Sequence, residues 1–311
     1  MRAARIHRYG SPEVIQIDDL PCPTPGPGEV LVRVANAGVG PWDALIREKK
    51  SVVRADLPLT LGSDLSGIVE ALGPGVREFA QGDPVYGVTN PDFIGACAEF
   101  AVAQTGRIAR KPESLGFAEA ASAPVVAVTA WQMLFDYAKA TRGQTVLIHG
   151  AGGNVGPYAV QLAAQAGLQV FATASSKDLD YVRGLGASAV VDYRSQRFEH
   201  LVPKVDIVLD TVGGETRERS LKIIKPGGIL VTAVPGLTAP SGSHNGVRAV
   251  FFLVDVTTDH LNALTDFFNT GRLLLRVGTV LPLAQVCTAH EMLAGAPHQP
   301  GKIVLHIADL T

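Results

Sequence analysis

Cysteine is scarce: Cys22, Cys97 and Cys287 are the only three in 311 residues. Their odd number and wide spacing, with no Cys-x-x-Cys pair and no histidine cluster beside them, offer no zinc site and point to reduced, mostly packed thiols of a cytosolic chain. An excess of one charge is also missing, since 27 Lys and Arg stand against 29 Asp and Glu for a formal charge of −2. With no long Lys/Arg block, neither a nucleic acid nor an anionic membrane surface is the expected partner; a small molecule is. No apolar run approaches the roughly 20 residues that span a bilayer, and even Ala120 to Trp131 is broken by Ser122, Pro124 and Thr129. The opening Met1-Arg-Ala-Ala-Arg-Ile-His-Arg is basic but has no apolar stretch behind it, so no secretory signal is expected and the location predicted is cytoplasmic.

Glycine, by contrast, is plentiful, and with 47% hydrophobic residues the chain has enough apolar surface for a large core divided between two domains. One stretch organises it: Val146-Leu-Ile-His-Gly-Ala-Gly-Gly-Asn-Val-Gly156, followed by Pro157 to Ala166. The apolar run reads as a buried parallel strand, the glycines as a tight turn, and the proline as the first turn of a helix. Uncapped N–H groups and the positive end of the helix dipole converge there, which suits a pyrophosphate.

Residues 1 to about 120 read as mostly β. Glu29–Ala35 alternates like a half-buried strand, short strands follow at 67–72, 84–88 and 98–103, and Trp42, Leu45 and Ile46 mark a short helix over 41–50. From Pro124 the texture changes to helices alternating with apolar strands. A helix is predicted over 129–140, then strand 146–148, helix 157–166, strand 169–173, helix 177–185, strands 189–191 and 205–210, helix 215–224 and strand 228–234. That alternation predicts an α/β fold with a doubly wound parallel sheet. Residues 235–248 read as a mobile loop carrying His244, a further side chain within reach of a cleft. An apolar strand over 249–256 reads as a sheet edge through which two copies pair as a homodimer. A helix over 260–270, a strand over 277–281, a helix over 283–293 and a last strand over 301–306 that returns to the first domain complete the chain.

The spacing Gly150-x-x-Gly153-x-x-Gly156 is weak by itself, but its place between a strand and a helix inside a βαβ unit predicts a dinucleotide. An NAD site places an acid about 20 residues past the turn. Here the next strand ends Ala174-Ser-Ser-Lys177, with no carboxylate to repel a 2′-phosphate, two hydroxyls to donate to it and an ammonium to balance it, so NADPH is the expected cofactor.

Taken in order, these pieces resemble the zinc-independent quinone oxidoreductase branch of the medium-chain dehydrogenase/reductase superfamily. The match includes Pro25-Gly-Pro-Gly-Glu-Val-Leu-Val-Arg-Val34, Ala37-Gly-Val39 with Asp43, Gly62-Ser-Asp64, Gly82-Asp-Pro-Val85, Thr129-Ala-Trp131, the glycine turn, Gly184-Leu-Gly-Ala187, Val205-Asp-Ile-Val-Leu-Asp210 and Gly301-Lys-Ile-Val304. The resemblance implies a GroES-like, partly closed β-barrel from residues 1–122 and 283–311, and a Rossmann NADP-binding domain over 123–282, with the nicotinamide in a cleft between them. It implies cofactor contacts at Thr129, Gly150, Gly153, Asn154, Val155, Gly156, Ser175, Ser176, Lys177, Tyr193, Val212 and Lys302, with Lys177 and Tyr193 at the 2′-phosphate.

Zinc-dependent relatives carry Cys where this chain reads Asn36-Ala-Gly-Val-Gly40 and Gly-His-Glu where it reads Gly62-Ser-Asp64, and they have a four-cysteine lobe that is missing here. No metal ligand is therefore expected. Many quinone reductase relatives also carry Asn at the position of Gly40. The implied reaction is hydride transfer from NADPH to an acceptor already activated, a quinone or an α,β-unsaturated carbonyl; an enoyl-thioester reductase, or an NADPH-binding protein with little catalysis as among crystallin and RNA-binding members, stands as the alternative. Trp42 is the leading substrate-facing residue, with Asp64, Phe93 and Phe252 beside it in the pocket and Phe251 as added wall or core. Asp64 is expected to orient backbone or water, Asp43 to be structural, and no general acid is assigned.

Overall fold

A computed structural model describes residues 1–53, 56–236, 243–244 and 246–310, the side chains of residues 243 and 244 excepted. The chain forms two compact units, one of Met1–Val125 with Val256–Thr311 and one of Val126–Asp255.

In the first unit β1 (Arg2–Ile6) pairs antiparallel with β2 (Ile15–Asp19). The central strand is β3 (Glu29–Val39), whose Val30, Val32 and Val34 are fully buried. The short helix α1 (Pro41–Arg47) follows, and then β4 (Leu59–Thr60), β5 (Asp64–Leu72), β6 (Pro84–Val88), β7 (Phe100–Gln104) and β8 (Ile108–Arg110). β3 takes β5 and β7 as antiparallel partners, with register shifts at Leu31/Val32 and Val34/Asn36 on the β5 side. Such bulges bend a strand and re-aim its side chains. Helix α2 (Phe117–Ser122) lies against β3 and closes this run.

The second unit opens in α3 (Pro124–Trp131), which continues as a π-helical turn over Gln132–Tyr137. The single helix expected over 129–140 is therefore earlier and irregular. Five strands follow in parallel: β9 (Thr145–Ile148), β10 (Gln169–Ala174), β11 (Ala189–Asp192), β12 (Val205–Asp210) and β13 (Ile224–Thr232). Val146–Ile148, Val208 and Leu209 have no exposed surface, as expected for strands covered on both faces. Between them run α4 (Gly156–Gln165), α5 (Leu179–Gly184), α6 (Phe198–Leu201) and α7 (Gly214–Ser220). The two-residue β14 (Ser243–His244) and β15 (Val247–Phe251) complete the order β11-β10-β9-β12-β13-β15-β14, and only β14 runs antiparallel. The strand expected over 249–256 is thus shorter and is not outermost, because β14 pairs with Arg248 and Val247 and the chain leaves the sheet after Phe251. Most of the loop expected over 235–248 lies outside the described residues, as does the side chain of His244.

The chain then returns to the first unit with α8 (Thr258–Asn269), β16 (Val277–Pro282), α9 (Val286–Leu293) and β17 (Lys302–His306). The Thr257 hydroxyl caps α8, and Leu261, Leu264 and Phe268, spaced along one helical face, are buried. Tyr86 donates its hydroxyl to the Leu261 carbonyl at 2.7 Å. β16 pairs with β17, and β17 pairs antiparallel with β3, so the last strand does return to the first sheet. The division between units therefore falls near residue 256 rather than at the expected 282, because α8 and β16 find their hydrogen-bond partners in the first unit. No helix among the described residues is long and apolar enough to cross a membrane.

Candidate functional site

The sheet of the second unit reverses its winding at β9, whose neighbours are β10 and β12. Ligands of open parallel sheets bind beyond the C-terminal strand ends at such a point, and the glycine turn leaves β9 there. Gly150 has a positive φ of 71°, and a Cβ on it would run into the Thr211 hydroxyl. A Cβ on Gly156 would lie 2.5 Å from the Ala151 Cα, and one on Gly152 3.0 Å from the Asp178 carboxyl group. Each glycine is therefore required by a close approach, and the turn holds its shape through Ala151 N–H to the Thr173 carbonyl at 3.0 Å and Gly153 N–H to the Gly150 carbonyl at 2.9 Å. Helix α4 begins at once, with Val155 as its cap, no side chain capping its first amides and Pro157 in its first turn. Those amides fit a pyrophosphate.

The neighbouring strand end is fixed by Asp210, fully buried at the end of β12. One of its oxygens accepts from the amides of Val212 (3.0 Å) and Gly213 (2.8 Å), and the other from the Thr232 hydroxyl (2.9 Å). This arrangement holds Val212, half exposed, beside Gly150. Thr129 is buried on α3.

His149, which the sequence did not single out, is a strut beneath the turn. Its Nε2 meets the Ser220 hydroxyl at 2.8 Å and its Nδ1 the Thr173 hydroxyl at 3.0 Å. Because Ser220 donates to the Thr216 carbonyl, it accepts from Nε2–H, so Thr173 donates to Nδ1. Burial pushes the imidazole down to about 4. It is neutral and ties β9 to β10 and α7.

At the end of β10 the hydroxyls are engaged. Ser175 is buried and donates to Asp178 at 2.6 Å; Ser176 donates to Asp192 at 2.8 Å. β10 itself brings no acid, as its sequence says, but Asp192 closes β11 in register with Ala174 and places a carboxylate at the same strand end. The expectation of an acid-free site is corrected on this point: a sheet neighbour supplies what the strand lacks. Lys177 is exposed beside Ser176, and Tyr193 is exposed next to Asp192 with the Arg194 guanidinium 5.9 Å from its ring centre.

In the first unit, Asp64 and Lys302 form a buried ion pair at 2.8 Å. The Lys302 ammonium also lies 4.1 Å from the centre of the Trp42 ring, a cation–π contact, and Trp42 donates its N–H to Ser63 at 3.0 Å. Lys302 is thus committed to Asp64 and the indole. Asp64 further accepts the Val125 amide at 3.0 Å, and its burial pulls the carboxyl upward while Lys302 pulls it down, burial prevailing. A Cβ on Gly40 would run into the Trp42 ring, so the indole fills the space a side chain at position 40 would take. Asp43 accepts the Gly40 amide at 2.7 Å at the start of α1, and burial pushes it up to about 7.

Phe93 is held in a left-handed conformation, φ 58°, by a loop in which Asn90 and Thr89 both donate to the Ile94 carbonyl, and it packs on the core of the first unit. Phe252 is buried in the second unit against Tyr137, ring centres 4.5 Å apart, and Phe251 is half-buried. Phe93 and Phe252, both expected in one pocket, thus belong to separate units, and Phe252 has a packing partner of its own. Among the described residues no group of three or more His, Cys, Asp or Glu is placed to hold a metal.

A GroES-like domain joined to a parallel dinucleotide-type sheet defines a medium-chain dehydrogenase/reductase. Residues 26–138 match the alcohol dehydrogenase GroES-like domain and residues 185–305 the family described as zinc-binding dehydrogenase. The chain belongs to the quinone oxidoreductase branch of that superfamily. It is 30% identical to a human quinone oxidoreductase, the alignment covering 98% of this chain and 97% of that one. It is 30% identical to an NADPH-dependent alkenal/one oxidoreductase of Arabidopsis thaliana, over 98% of this chain and 79% of the other. A quinone oxidoreductase from Coxiella burnetii superposes with a TM-score of 0.91 at 32% identity, covering 99% of both chains. The protein is accordingly an oxidoreductase of the quinone/enone type.

Proposed function

We propose that this oxidoreductase uses NADPH to reduce a quinone or an α,β-unsaturated carbonyl, without zinc. The observation that carries the proposal is the close approach of Gly152 and Gly156 to neighbouring atoms at the uncapped start of α4, a cradle with no room for side chains where a pyrophosphate fits. Gly150, Gly153, Asn154, Val155 and Gly156 would hold the pyrophosphate, Val212 would line the nicotinamide side, and Ser175, Ser176, Lys177 and Tyr193 would meet the adenosine end. When bound, the cofactor supplies hydride from its nicotinamide ring.

The first unit supplies a surface. Trp42 offers an apolar ring whose N–H is engaged with Ser63, and Lys302 and Asp64 hold that ring from within the fold. Gly40 has no side chain, and Ser63 stands where zinc-dependent relatives carry His, its hydroxyl accepting from Trp42. This favours a metal-free reaction, and an acceptor that needs no Lewis acid, one whose developing charge spreads onto its own oxygen. The names of the human and Arabidopsis relatives agree with both acceptor classes. Three unpaired cysteines fit a cytoplasmic protein. A homodimer would use the outer edge of β15, where β14 covers Val247 and Arg248 but not Ala249–Phe251.

The test is NADPH consumption across quinones, enals, enones and enoyl thioesters, with NADH alongside. Saturable turnover of quinones or enones is expected. Turnover confined to thioesters, or tight NADPH binding with no turnover of any acceptor, would contradict the proposal.

A further inference from the structure

The adenosine end of the site carries a carboxylate one strand further out than a dinucleotide fold ordinarily places it. In NAD sites the acid closes the second strand of the βαβ unit and accepts from the ribose hydroxyls; here β10 ends in Ser175-Ser176-Lys177, and the acid is Asp192 on β11, in register with Ala174. Asp192 Oδ2 accepts from the hydroxyls of Ser176 (2.8 Å) and Ser195 (3.0 Å), and Oδ1 accepts the Arg194 amide (3.0 Å). The Arg194 amide and then the Ser176 hydroxyl hold its carboxyl below the ordinary carboxylate range, so it is anionic at neutral pH.

A serine hydroxyl has one proton to give. Ser176 gives it to Asp192, and Ser175 gives its own to Asp178. Neither is therefore available to a 2′-phosphate without breaking an existing bond, and the phosphate would approach an anion. The ammonium of Lys177 opposes that repulsion. A ribose hydroxyl, by contrast, meets in Asp192 an acceptor already in place.

We infer that Asp192 is a specificity-determining residue that narrows the preference for NADPH over NADH, opposing the 2′-phosphate and accepting the unphosphorylated ribose. The inference rests on the dinucleotide site proposed above. Through it, the cofactor preference of the protein depends on a balance between Lys177 and Asp192 and is weaker than the Ser-Ser-Lys sequence alone implies.

Calorimetric titration of NADPH and of NADH, with no acceptor present, tests it on the full-length protein, Asp192→Asn, Ser176→Ala and the double variant. Asparagine keeps an oxygen for the Arg194 amide, and Asp192→Ser serves if Asp192→Asn does not fold. Wild type should bind both dinucleotides. Asp192→Asn should raise the ratio Kd(NADH)/Kd(NADPH) by about tenfold, a size typical of one altered polar contact, chiefly through tighter NADPH. Ser176→Ala should weaken NADPH binding less in wild type than in the Asp192→Asn background, the mark of two coupled groups. An unchanged ratio in an Asp192 variant that still binds NADH would overturn the inference, as would a Ser176→Ala loss equal in the two backgrounds. Binding of neither dinucleotide to wild type would overturn the site itself, and the inference with it.

Discussion

Lys302 and Asp64 are 238 residues apart in the chain and 2.8 Å apart in the fold. Removing one partner of such a pair strands the other charge in the core, so Lys302→Ala should lower unfolding stability by about 3–5 kcal/mol, whereas Lys302→Met with Asp64→Leu should recover most of the loss; urea unfolding of the three proteins measures both. Gly156 makes the second residue-scale prediction. A methyl group there meets backbone atoms, Gly150 O and Ala151 Cα, that have nowhere to move without opening the turn. Gly156→Ala should cost about 1–3 kcal/mol of stability and abolish NADPH binding in calorimetry; a variant that binds as wild type does would place the pyrophosphate elsewhere. The glycines were legible in the sequence because their spacing sits on a strand-to-helix junction. Lys302 and Asp64 were legible singly and not as a pair, since nothing local links the last strand to Gly62-Ser-Asp64. Asp192 escaped notice for a related reason: the rule about the strand-end acid concerns one strand, and the carboxylate came from its neighbour.

At the scale of elements, three buried titratable groups sit at junctions and pull stability in opposite directions with pH. His149 is pushed down to about 4 and His290 to about 3, both by burial, from 6.5. His290 accepts from Arg47 at 2.8 Å and so joins α9 to α1. Between those values and 6.5 the unfolded chain binds protons that the fold refuses; their contribution is complete above 6.5 and is lost as pH falls. Asp43, at the start of α1, is raised from 3.8 to about 7. The fold keeps a proton that the unfolded chain releases, so its contribution is complete below 3.8 and is lost as pH rises toward 7. Asp43→Asn removes only the falling part and leaves an oxygen for the Gly40 amide. Its urea midpoint should therefore gain more than that of wild type between about pH 5 and about pH 7, and an equal gain would show that Asp43 is ionised throughout. The strands β9 to β13 were readable from apolar runs between helices. The π-helical turn at Gln132–Tyr137 and the short β14 have no periodic signature, and β15 read too long because the apolar run continues past Phe251 after the backbone has left the sheet.

For the whole molecule, the two-unit architecture followed from the change of texture near Pro124, and the position of the second boundary did not. Residues 256–282 look like one more helix-and-strand step of the parallel sheet, yet Tyr86 and β17 hold them in the first unit. Each unit then brings one part of the proposed chemistry: the second a cradle for the dinucleotide, the first an indole braced by Lys302 and Ser63. The claim that joins them is direct hydride transfer to a carbon acceptor, and isotopic labelling tests it most directly. With NADPH deuterated at both C4 positions and an α,β-unsaturated ketone as acceptor, mass and NMR spectra of the product should show one deuterium, at the β carbon. A saturated product free of deuterium, or no reduced product from enones and quinones alike, would contradict the account.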